Sequence, residues 1–424
     1  MARKRNFPFV YPEILLAIYF SLCILEPVPG IASAIQKIEM ENGVRVVHNK
    51  KGGEWGSDPK ISIELVRTIG DVDTDDENLA FNSPSDMGVD DAGNIYILDS
   101  GNQRIQVFGP EGRYVRTIGR KGQGPGEFSS PNSIDIDGQG RLYVLDDRQK
   151  RIQVFAANRE ILKSMRAMLG PSTVSQSSII GIDRMRLLGS RGFVIRTYTG
   201  WGMSGAPKLK TMPKLVKLLS PDLEVRLEFG DPFDYGDEIT NAAGNSIQFA
   251  VDGGDHIYLC FANQNRIEKY SSEGELLWRA DRELNFPTKL IQKGEQKITL
   301  NSATYISPKF NRVAVGIATD DKGRAWVVTC DRQIRKEEVV TNMTSGSPSG
   351  ETRKTEGNTD LRTTDMLKLE VFGPDGVLLG EIPLTHFVDM IHVHKDRLFL
   401  LDRERGVKFY EYRISDRPDS NGRH

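Results

Sequence analysis

The chain has 424 residues, of which 38% are hydrophobic and 27% charged, and its formal net charge is −2 at pH 7. This composition is typical of a globular protein, and the balanced charge gives no support to a nucleic-acid partner. Three cysteines are too few for a disulfide framework.

The first 34 residues are predicted to be a secretory signal peptide. Residues 3–5 are basic, residues 14–25 form an apolar run, and residues 32–34 read Ala-Ser-Ala, which fits the A-x-A cleavage pattern. The run is shorter than the roughly 20 residues that a membrane span needs. We therefore expect a secreted or periplasmic protein without a stable membrane span after cleavage. The alternative is a membrane anchor formed by an uncleaved leader.

Two segments, 84–119 and 130–165, repeat the same pattern. Asp99 and Asp146 lie at equivalent positions, and each is followed five residues later by arginine and then by Ile-Gln-Val-Phe. A period of this size that contains several short strands is typical of a β-propeller. We interpret the aspartates as acceptors for turn amides and the arginines as links between neighbouring blades.

The alternation of apolar residues and turn pairs predicts four antiparallel strands in each repeat. Weaker copies continue through 166–246, 247–280 and 313–382, and the last unit, 387–414, has three strands. Residues 61–70 resemble the fourth strand of the first unit, so we predict that they complete the last blade.

The predicted fold class is therefore all-β, a six-bladed propeller over residues 61–415, in which an N-terminal strand closes the ring. A 35–60 N-terminal extension precedes the propeller, and a disordered 416–424 tail follows it. A seven-bladed ring is the alternative, and it would need 35–60 or 282–312 to form a further blade. Cys260 and Cys330 occupy non-equivalent positions, and we expect both to be buried free thiols.

The best-preserved repeat, with Asp-x-x-Gly-Asn-Ile-Tyr and Arg-Ile-Gln-Val-Phe, follows a Gly-x-Gly-Pro-Gly-Glu-Phe-x-x-Pro segment at 122–131. This pattern resembles the NHL repeat, and more closely it resembles the secreted bacterial six-bladed propellers of unknown function. The resemblance implies the fold. It implies no particular chemistry, because NHL-like propellers include lyases, lactonases, and protein- and RNA-binding modules.

Propeller topology predicts that the long loops share one face. The loops between strands two and three open on the same side as the links between blades, whereas the other turns are uniformly tight. Because loops carry function on rigid scaffolds, we expect this long-loop face to be the working face. The insertion 331–366 is polar, which predicts a disordered flap, with a lid or a partner-binding arm as the alternative. The long loops are 70–83, 119–131, 199–214, 281–312 and 331–366.

The innermost strand of each blade should begin at the mouth of the central channel on this face. Convergent polar groups at such a mouth are the default ligand site. We predict a small polar ligand there, with a self-bonded cluster as the alternative. The candidate residues are Asp86, Asn132, Asn245, Arg312 and Asp389.

A metal site has little support in the sequence. Asp71, Asp73 and Asp75 resemble the start of a calcium loop, but the glycine and glutamate expected at positions six and twelve are missing. His392 and His394 share one strand face, whereas zinc needs three or four convergent ligands. We expect no catalytic residue and no cofactor, with calcium as the alternative.

The predicted function is a non-enzymatic binding or scaffold propeller of the cell envelope. It would recognise a protein or glycan partner through the long-loop face. The alternative is a metal-dependent lyase or lactonase whose site lies at the mouth of the central channel.

Overall fold

Six β-sheets surround a central channel and form the six predicted blades. The predicted signal peptide lies outside the residues described by the structure. Within those residues, no helix is both long and apolar enough to cross a membrane. The computed structural model describes residues 36–166, 179–199, 212–298, 303–347 and 350–417.

Three strands precede blade I. The strands of blades I, II and III then follow one another in chain order. The early strands are β1 Gln36–Glu41, β2 Val44–Asn49 and β3 Ile61–Ile69. Blade I consists of β4 Pro84–Val89, β5 Ile95–Asp99, β6 Arg104–Phe108 and β7 Tyr114–Ile118. Blade II consists of β8 Pro131–Ile136, β9 Leu142–Asp146, β10 Arg151–Phe155 and β11 Ile161–Arg166. Blade III consists of β12 Ile179–Leu187, β13 Phe193–Thr199, β14 Val216–Leu219 and β15 Val225–Phe229.

The last three blades carry the insertions. Blade IV contains β16 Ile247–Val251, β17 Ile257–Phe261, β18 Ile267–Tyr270 and β19 Leu276–Arg282. Blade V contains β24 Ala314–Thr319, β25 Ala325–Cys330, β28 Leu367–Phe372 and β29 Leu378–Pro383. Blade VI contains β30 Met390–His394, β31 Arg397–Asp402 and β32 Lys408–Asp416.

Short elements occupy the long connections. The helix α1 Glu238–Gly244 joins blades III and IV, and short 3₁₀ turns lie at Ser100–Asn102 and Lys336–Glu338. The link to blade V contains β20 Leu290–Gln292, β21 Glu295–Ile298, β22 Ala303–Ile306 and β23 Lys309–Phe310. The predicted flap contains the hairpin β26 Val340–Ser347 and β27 Gly350–Gly357. Where composition predicts disorder, the chain therefore forms paired strands.

The ring closes as predicted. Strand β3 pairs antiparallel with β32 and supplies the fourth strand of blade VI, with Ile61 opposite Asp416 and Ile69 opposite Phe409. The first and last strands of the ring thus share one sheet, which protects the edges that an open sheet would expose. The all-β, six-bladed architecture is confirmed.

Residues 36–59 wrap around the rim of the propeller. Strand β2 adds in parallel to the outer edge of β19, and β1 pairs with β2, so blade IV has six strands. The chain then crosses blade V, where the Trp55 amide donates to the Leu379 carbonyl over 2.7 Å. Gly380 makes room for the indole, because a Cβ there would lie 2.0 Å from the Trp55 ring. The predicted extension therefore joins the sheet of blade IV and is hydrogen-bonded to the outer strand of blade V.

Hydrophobic clusters fill the spaces between neighbouring blades. The link after blade VI and the link after blade I each place a buried phenylalanine ring against a glycine with a positive φ angle. These pairs are Phe81 with Gly70 and Phe128 with Gly119. A Cβ on Gly119 would lie 2.1 Å from the Phe128 ring, so the close approach requires glycine. The spacing of glycine and phenylalanine in the repeat therefore reflects packing between blades.

The repeated aspartate and arginine brace the same links. Asp99 is fully buried and accepts hydrogen bonds from the Asn82 amide at 2.7 Å and from Arg104 Nε at 2.9 Å. Arg104 Nη2 also donates to the Ala80 carbonyl at 3.0 Å. Asp146 likewise accepts two amides of the link that enters blade II. These contacts agree with the predicted scaffold role.

A second recurring contact, here called the turn latch, lies at the opposite ends of four blades. An aspartate at the tight turn accepts a hydrogen bond from an aromatic side chain six residues later. A lysine or arginine lies over each ring, 4.6 to 6.0 Å from its centroid. The pairs are Asp90–Tyr96 at 2.8 Å, Asp137–Tyr143 at 3.2 Å, Asp252–Tyr258 at 3.1 Å and Asp320–Trp326 at 2.9 Å. The two faces are called the loop face and the turn face below.

Candidate functional site

The five polar residues predicted at the channel mouth do not form one cluster. All five belong to the described residues, and no hydrogen bond or ion pair joins any two of them. Asp86 lies in a buried charge cluster, Asn132 and Asp389 make local contacts, and Asn245 and Arg312 lie beside an apolar surface on the loop face.

Asp86 is the centre of an axial charge cluster formed with Ser133, Arg184 and Arg186. Arg186 donates to both carboxylate oxygens over 2.8 and 2.9 Å, and Arg184 Nη1 forms an ion pair with Asp86 at 2.8 Å. Ser133 Oγ donates to the same carboxylate over 2.7 Å. Because these residues come from β4, β8 and β12, the cluster ties the innermost strands of three blades together.

The cluster is satisfied internally. Asp86 is 0% exposed, and burial alone would raise the pKa of its carboxyl group. The guanidinium groups of Arg184 and Arg186 outweigh burial and hold that pKa well below its usual range. A buried carboxylate with these partners has little capacity left for a ligand, which agrees with the self-bonded alternative for this residue.

Asn132 and Asp389 support the local backbone. Asn132 Nδ2 donates to the Ile182 carbonyl over 2.7 Å, and its Oδ1 atom is buried without a hydrogen-bond partner. Asp389 accepts a hydrogen bond from the Arg403 amide over 2.8 Å, which fixes the loop between β31 and β32.

Asn245 holds an exposed aromatic residue in place. Its Oδ1 atom accepts from the Phe233 amide at 2.7 Å, and its Nδ2 atom donates to the Phe233 carbonyl at 2.8 Å. Asn245 directly follows α1, whose first turn is capped by Asp237 accepting from the Thr240 amide at 2.7 Å. The side chain predicted to bind ligand is thus buried, and it positions Phe233, which is 55% exposed.

Phe233 begins an apolar surface on the loop face. Its ring lies edge-on to Tyr235 with centroids 4.8 Å apart, and Tyr235 meets Phe310 at 5.2 Å. Phe310 pairs with Leu290 across β20 and β23, and the adjacent Ile291 is 56% exposed. The surface thus joins the link before blade IV to the link before blade V.

The surface continues to the insertion of blade V. Gln333 clamps the backbone of Arg312, because it accepts from the Arg312 amide and donates to the Arg312 carbonyl, both at 2.8 Å. Ile334 follows Gln333 and is 49% exposed. We call Phe233, Tyr235, Ile291, Phe310 and Ile334 the loop-face patch.

The insertion hairpin of β26 and β27 is anchored beside this patch. Arg332 donates two charge-assisted hydrogen bonds to Glu338, of 2.7 and 2.5 Å, and the Arg335 amide donates a third of 2.8 Å. Thr364, on the returning chain, donates to the same carboxylate over 2.9 Å. Hydrogen bonding to Arg332 lowers the pKa of Glu338 to about 2. The base of the hairpin is therefore fixed.

Exposed large apolar side chains are distributed unevenly over the described residues. Most lie on the outer strands of the blades, where Val115 and Leu162 are each 56% exposed. The remaining ones all lie in loops of the loop face, namely Val72, Phe233, Ile291, Ile334 and Val339. The turn face has none.

The acidic loop before blade I is engaged in protein contacts. Asp71 pairs with Lys408 at 2.8 Å and accepts the Asp73 amide at 3.2 Å, and hydrogen bonding to Lys408 lowers the pKa of Asp71. Asp73 and Asp75 are exposed. Within the described ranges, no group of three or more His, Cys, Asp or Glu side chains is placed to hold a metal ion. Calcium remains a sequence-based hypothesis.

Comparisons with known proteins identify the fold. Residues 37–175 match the model of a family described as DUF5128, 6-bladed beta-propeller. The chain is a six-bladed β-propeller. No curated protein matches its sequence.

Three solved structures are similar to this chain. A member of the DUF4221 family from Bacteroides vulgatus is 12% identical with a TM-score of 0.52, and the match covers 84% of this propeller and 99% of that chain. Virginiamycin B lyase from Staphylococcus aureus is 12% identical, with a TM-score of 0.40 and coverage of 83% and 99%. A gluconolactonase from Xanthomonas campestris is 13% identical, with a TM-score of 0.45 and coverage of 84% and 90%. Likeness at such identities concerns the fold and does not transfer an activity.

Proposed function

We propose that this propeller is a non-enzymatic binding protein of the cell envelope that holds a protein partner on the loop-face patch. The observation that carries the proposal is that exposed Phe233, Ile291 and Ile334 come from three successive loops of this face and lie beside the Tyr235 and Phe310 rings. Aromatic and aliphatic side chains at the centre of a surface, surrounded by polar loops, are typical of protein–protein interfaces.

The polar groups next to the patch favour a protein over a glycan. A glycan is held mainly by hydrogen bonds to its hydroxyl groups, which requires side-chain amides or carboxylates with free capacity. Here Asn245 and Gln333 use both ends of their amide groups on the backbone of neighbouring loops. Asn241 likewise accepts from the Tyr235 amide and donates to Asp234. The patch therefore offers apolar area and few free polar groups.

The patch is also held by the scaffold. Asn245 fixes Phe233, Gln333 connects Arg312 to the blade V insertion, and Glu338 fixes the base of the hairpin. A pre-ordered surface binds without first paying the conformational entropy of loop ordering. Localisation to the envelope rests on the predicted signal peptide.

The proposal can be tested with immobilised protein lacking the leader and an envelope extract of the source organism. The variant Phe233→Ser/Ile291→Ser removes two side chains that are 55% and 56% exposed. The matched control Val115→Ser/Leu162→Ser removes two aliphatic side chains of the same exposure from outer strands. We expect one protein to be captured at saturable stoichiometry by the wild type and the control, and to be lost with the patch variant.

The capture is then repeated with the purified partner before and after enzymatic deglycosylation. Undiminished binding after deglycosylation supports protein recognition. Equal capture by the patch variant and the control contradicts the proposal. Binding that is lost on deglycosylation also contradicts it, and favours a glycan ligand.

A further inference from the structure

A cavity of about 650 Å³ opens on the turn face, at the end of the channel opposite the loop-face patch. The ends of the innermost strands of blades II to VI line it, together with their tight turns. Its volume lies within the range of about 300–1,000 Å³ that is usual for small-molecule sites. The turn face carries only short turns in the repeats, and the loop lengths in the sequence favour the loop face as the functional one.

Apolar side chains form one part of the cavity wall. Phe249, Ile317 and Ile391 come from three different blades, and each is less than 9% exposed although each borders the cavity. Val251 and Val393 extend this apolar lining. Such walls favour a ligand with a hydrophobic body.

One carboxylate in the lining lacks an ion-pair partner. Asp135 accepts the Ile136 amide at 2.9 Å and the Leu187 amide at 2.8 Å, and no cation of the described residues lies within ion-pair distance of it. Arg186 also borders the cavity, but its guanidinium group makes two hydrogen bonds to Asp86. Asp135 therefore has free lone pairs next to the cavity. Burial raises the pKa of its carboxyl group more than the Arg186 charge and the two amide donors lower it, and a bound cation would favour the ionised form.

The other charges of the lining do not compensate Asp135. Arg141 is paired with Asp137 at 2.6 Å, and the lining also includes Asp252 and Asp255. Asp252 lies 3.9 Å from Lys269 and Asp255 lies 3.7 Å from Arg191, so Asp135 is the lining aspartate without an ion-pair partner among the described residues. An ammonium group beside Asp135 would therefore gain a carboxylate partner that no described cation occupies at ion-pair distance.

An uncharged hydrogen-bonding group lies in the same lining. His392 makes no hydrogen bond to any described residue, and its ring contacts Phe399. Burial, with the nearby Arg186 charge, lowers the pKa of His392 to about 3, so its imidazole is neutral at pH 7. A neutral imidazole has one nitrogen that can accept a hydrogen bond from a ligand.

We propose that the turn-face cavity binds a small molecule that carries a protonated amine on an apolar body. The ammonium group lies against the Asp135 carboxylate and donates a further hydrogen bond to His392. The apolar body packs against Phe249, Ile317 and Ile391. This site lies beyond the proposed partner surface and does not depend on it.

The test uses three probes with the same body and different ends, namely 4-phenylbutylamine, 4-phenylbutan-1-ol and 4-phenylbutanoate. Affinities are measured by ligand-observed NMR titration at pH 7 on the propeller without its leader. We expect the amine to bind at least about tenfold more tightly than the alcohol, because it forms one additional charge-assisted hydrogen bond. The carboxylate should bind more weakly than the alcohol.

Two variants and a control locate the binding. Asp135→Asn should remove the tighter binding of the amine probe and leave the affinity for the alcohol probe unchanged. Ser190→Arg places a cation at an exposed lining position without altering the core. It should lower the affinity for the amine probe and raise the affinity for the carboxylate probe. The control Asp91→Asn changes an aspartate on the same face outside the lining, with a side chain 75% exposed, and should alter nothing.

Several outcomes would overturn the proposal. Equal affinity for all three probes would mean purely apolar binding, and tighter binding of the carboxylate would reverse the inferred charge. Absence of binding to the wild type at millimolar probe would also refute the site. If Asp135→Asn does not fold, the response of Ser190→Arg decides between these results.

Discussion

Asp86 in blade I and Arg186 in blade III are joined by two hydrogen bonds of 2.8 and 2.9 Å across the inner strand of blade II. Removing the carboxylate leaves two buried guanidinium groups without their ion-pair partner. We expect Asp86→Ala to lower the free energy of unfolding by about 3–5 kcal/mol, measured by urea titration. The exposed control Asp91→Ala should change it by less than about 0.5 kcal/mol.

The same cluster allows a sharper version of this test. Replacing Asp86, Arg184 and Arg186 together by Leu, Met and Met removes all three charges at similar volume. Stability should then recover most of what the single variant loses, because the guanidinium groups that lose their partner in Asp86→Ala are also removed. A single Asp86→Ala variant as stable as the wild type would contradict the interpretation.

The turn latch should contribute measurably to stability. Tyr96 is 2% exposed, and its hydroxyl donates to Asp90 at 2.8 Å. Burial and the hydrogen bond to Asp90 raise the pKa of Tyr96 to about 12, so the hydroxyl stays protonated and keeps donating at neutral pH. Tyr96→Phe should cost about 1 kcal/mol in unfolding free energy, because Asp90 loses one buried hydrogen bond and keeps those from Asn94.

Tyr114 provides the control for this prediction. It is 39% exposed, and its hydroxyl meets Thr117 at 2.9 Å on an outer strand. Tyr114→Phe should change the midpoint of urea unfolding much less than Tyr96→Phe. Equal effects of the two substitutions would show that the latch contributes nothing of its own.

The base of the insertion hairpin should loosen in acid. The pKa of Glu338 is lowered to about 2, so its contribution to stability is complete above its usual pKa near 4.5 and is lost as the pH falls toward 2. Hydrogen exchange of the β26 amides, corrected for the intrinsic rate at each pH, should rise over this interval. Glu338→Gln should show faster exchange already at pH 7. Exchange that is independent of both changes would argue against this anchor.

The two cysteines of the propeller should be unreactive in the native state. Cys260 and Cys330 are free and buried, and burial raises their pKa values to about 12 and about 11. Since the thiolate is the reactive form, neither thiol should react with Ellman's reagent at pH 8 in protein lacking the leader. Two thiols should react after unfolding in guanidinium chloride. A thiol that reacts rapidly without denaturant would contradict the described burial.

Local patterns in the sequence predict most of the scaffold. The likeness of 61–70 to the fourth strand of blade I leads directly to the pairing of β3 with β32. The repeated Asp99 and Asp146 correctly point to contacts with link amides, because each repeat preserves both the aspartate and the link. These features are visible because each is encoded within one repeat or by its comparison with the next.

Contacts between distant segments are harder to predict. Nothing in residues 44–49 indicates that they pair with β19, because an outer strand can add to any free sheet edge. Asn245 looks like a ligand-binding residue until α1 and the Phe233 backbone are placed around it. The turn latch could have been found from sequence, since the aspartate and the aromatic residue recur six positions apart in four blades. The turn-face cavity could not, because it depends on how five inner strands converge.

The pairing of β2 with β19 and of β3 with β32 has a consequence for the order of folding. Arg45 meets Trp278, and Ile61 meets Asp416, so the first strands to be synthesised wait for partners made much later. Such long-range pairing makes folding slow compared with local contacts. A growing chain that lacks β32 has no closed ring and leaves β3 without its partner, although β2 can already pair with β19. The ring therefore closes only after residues 408–416 have been made.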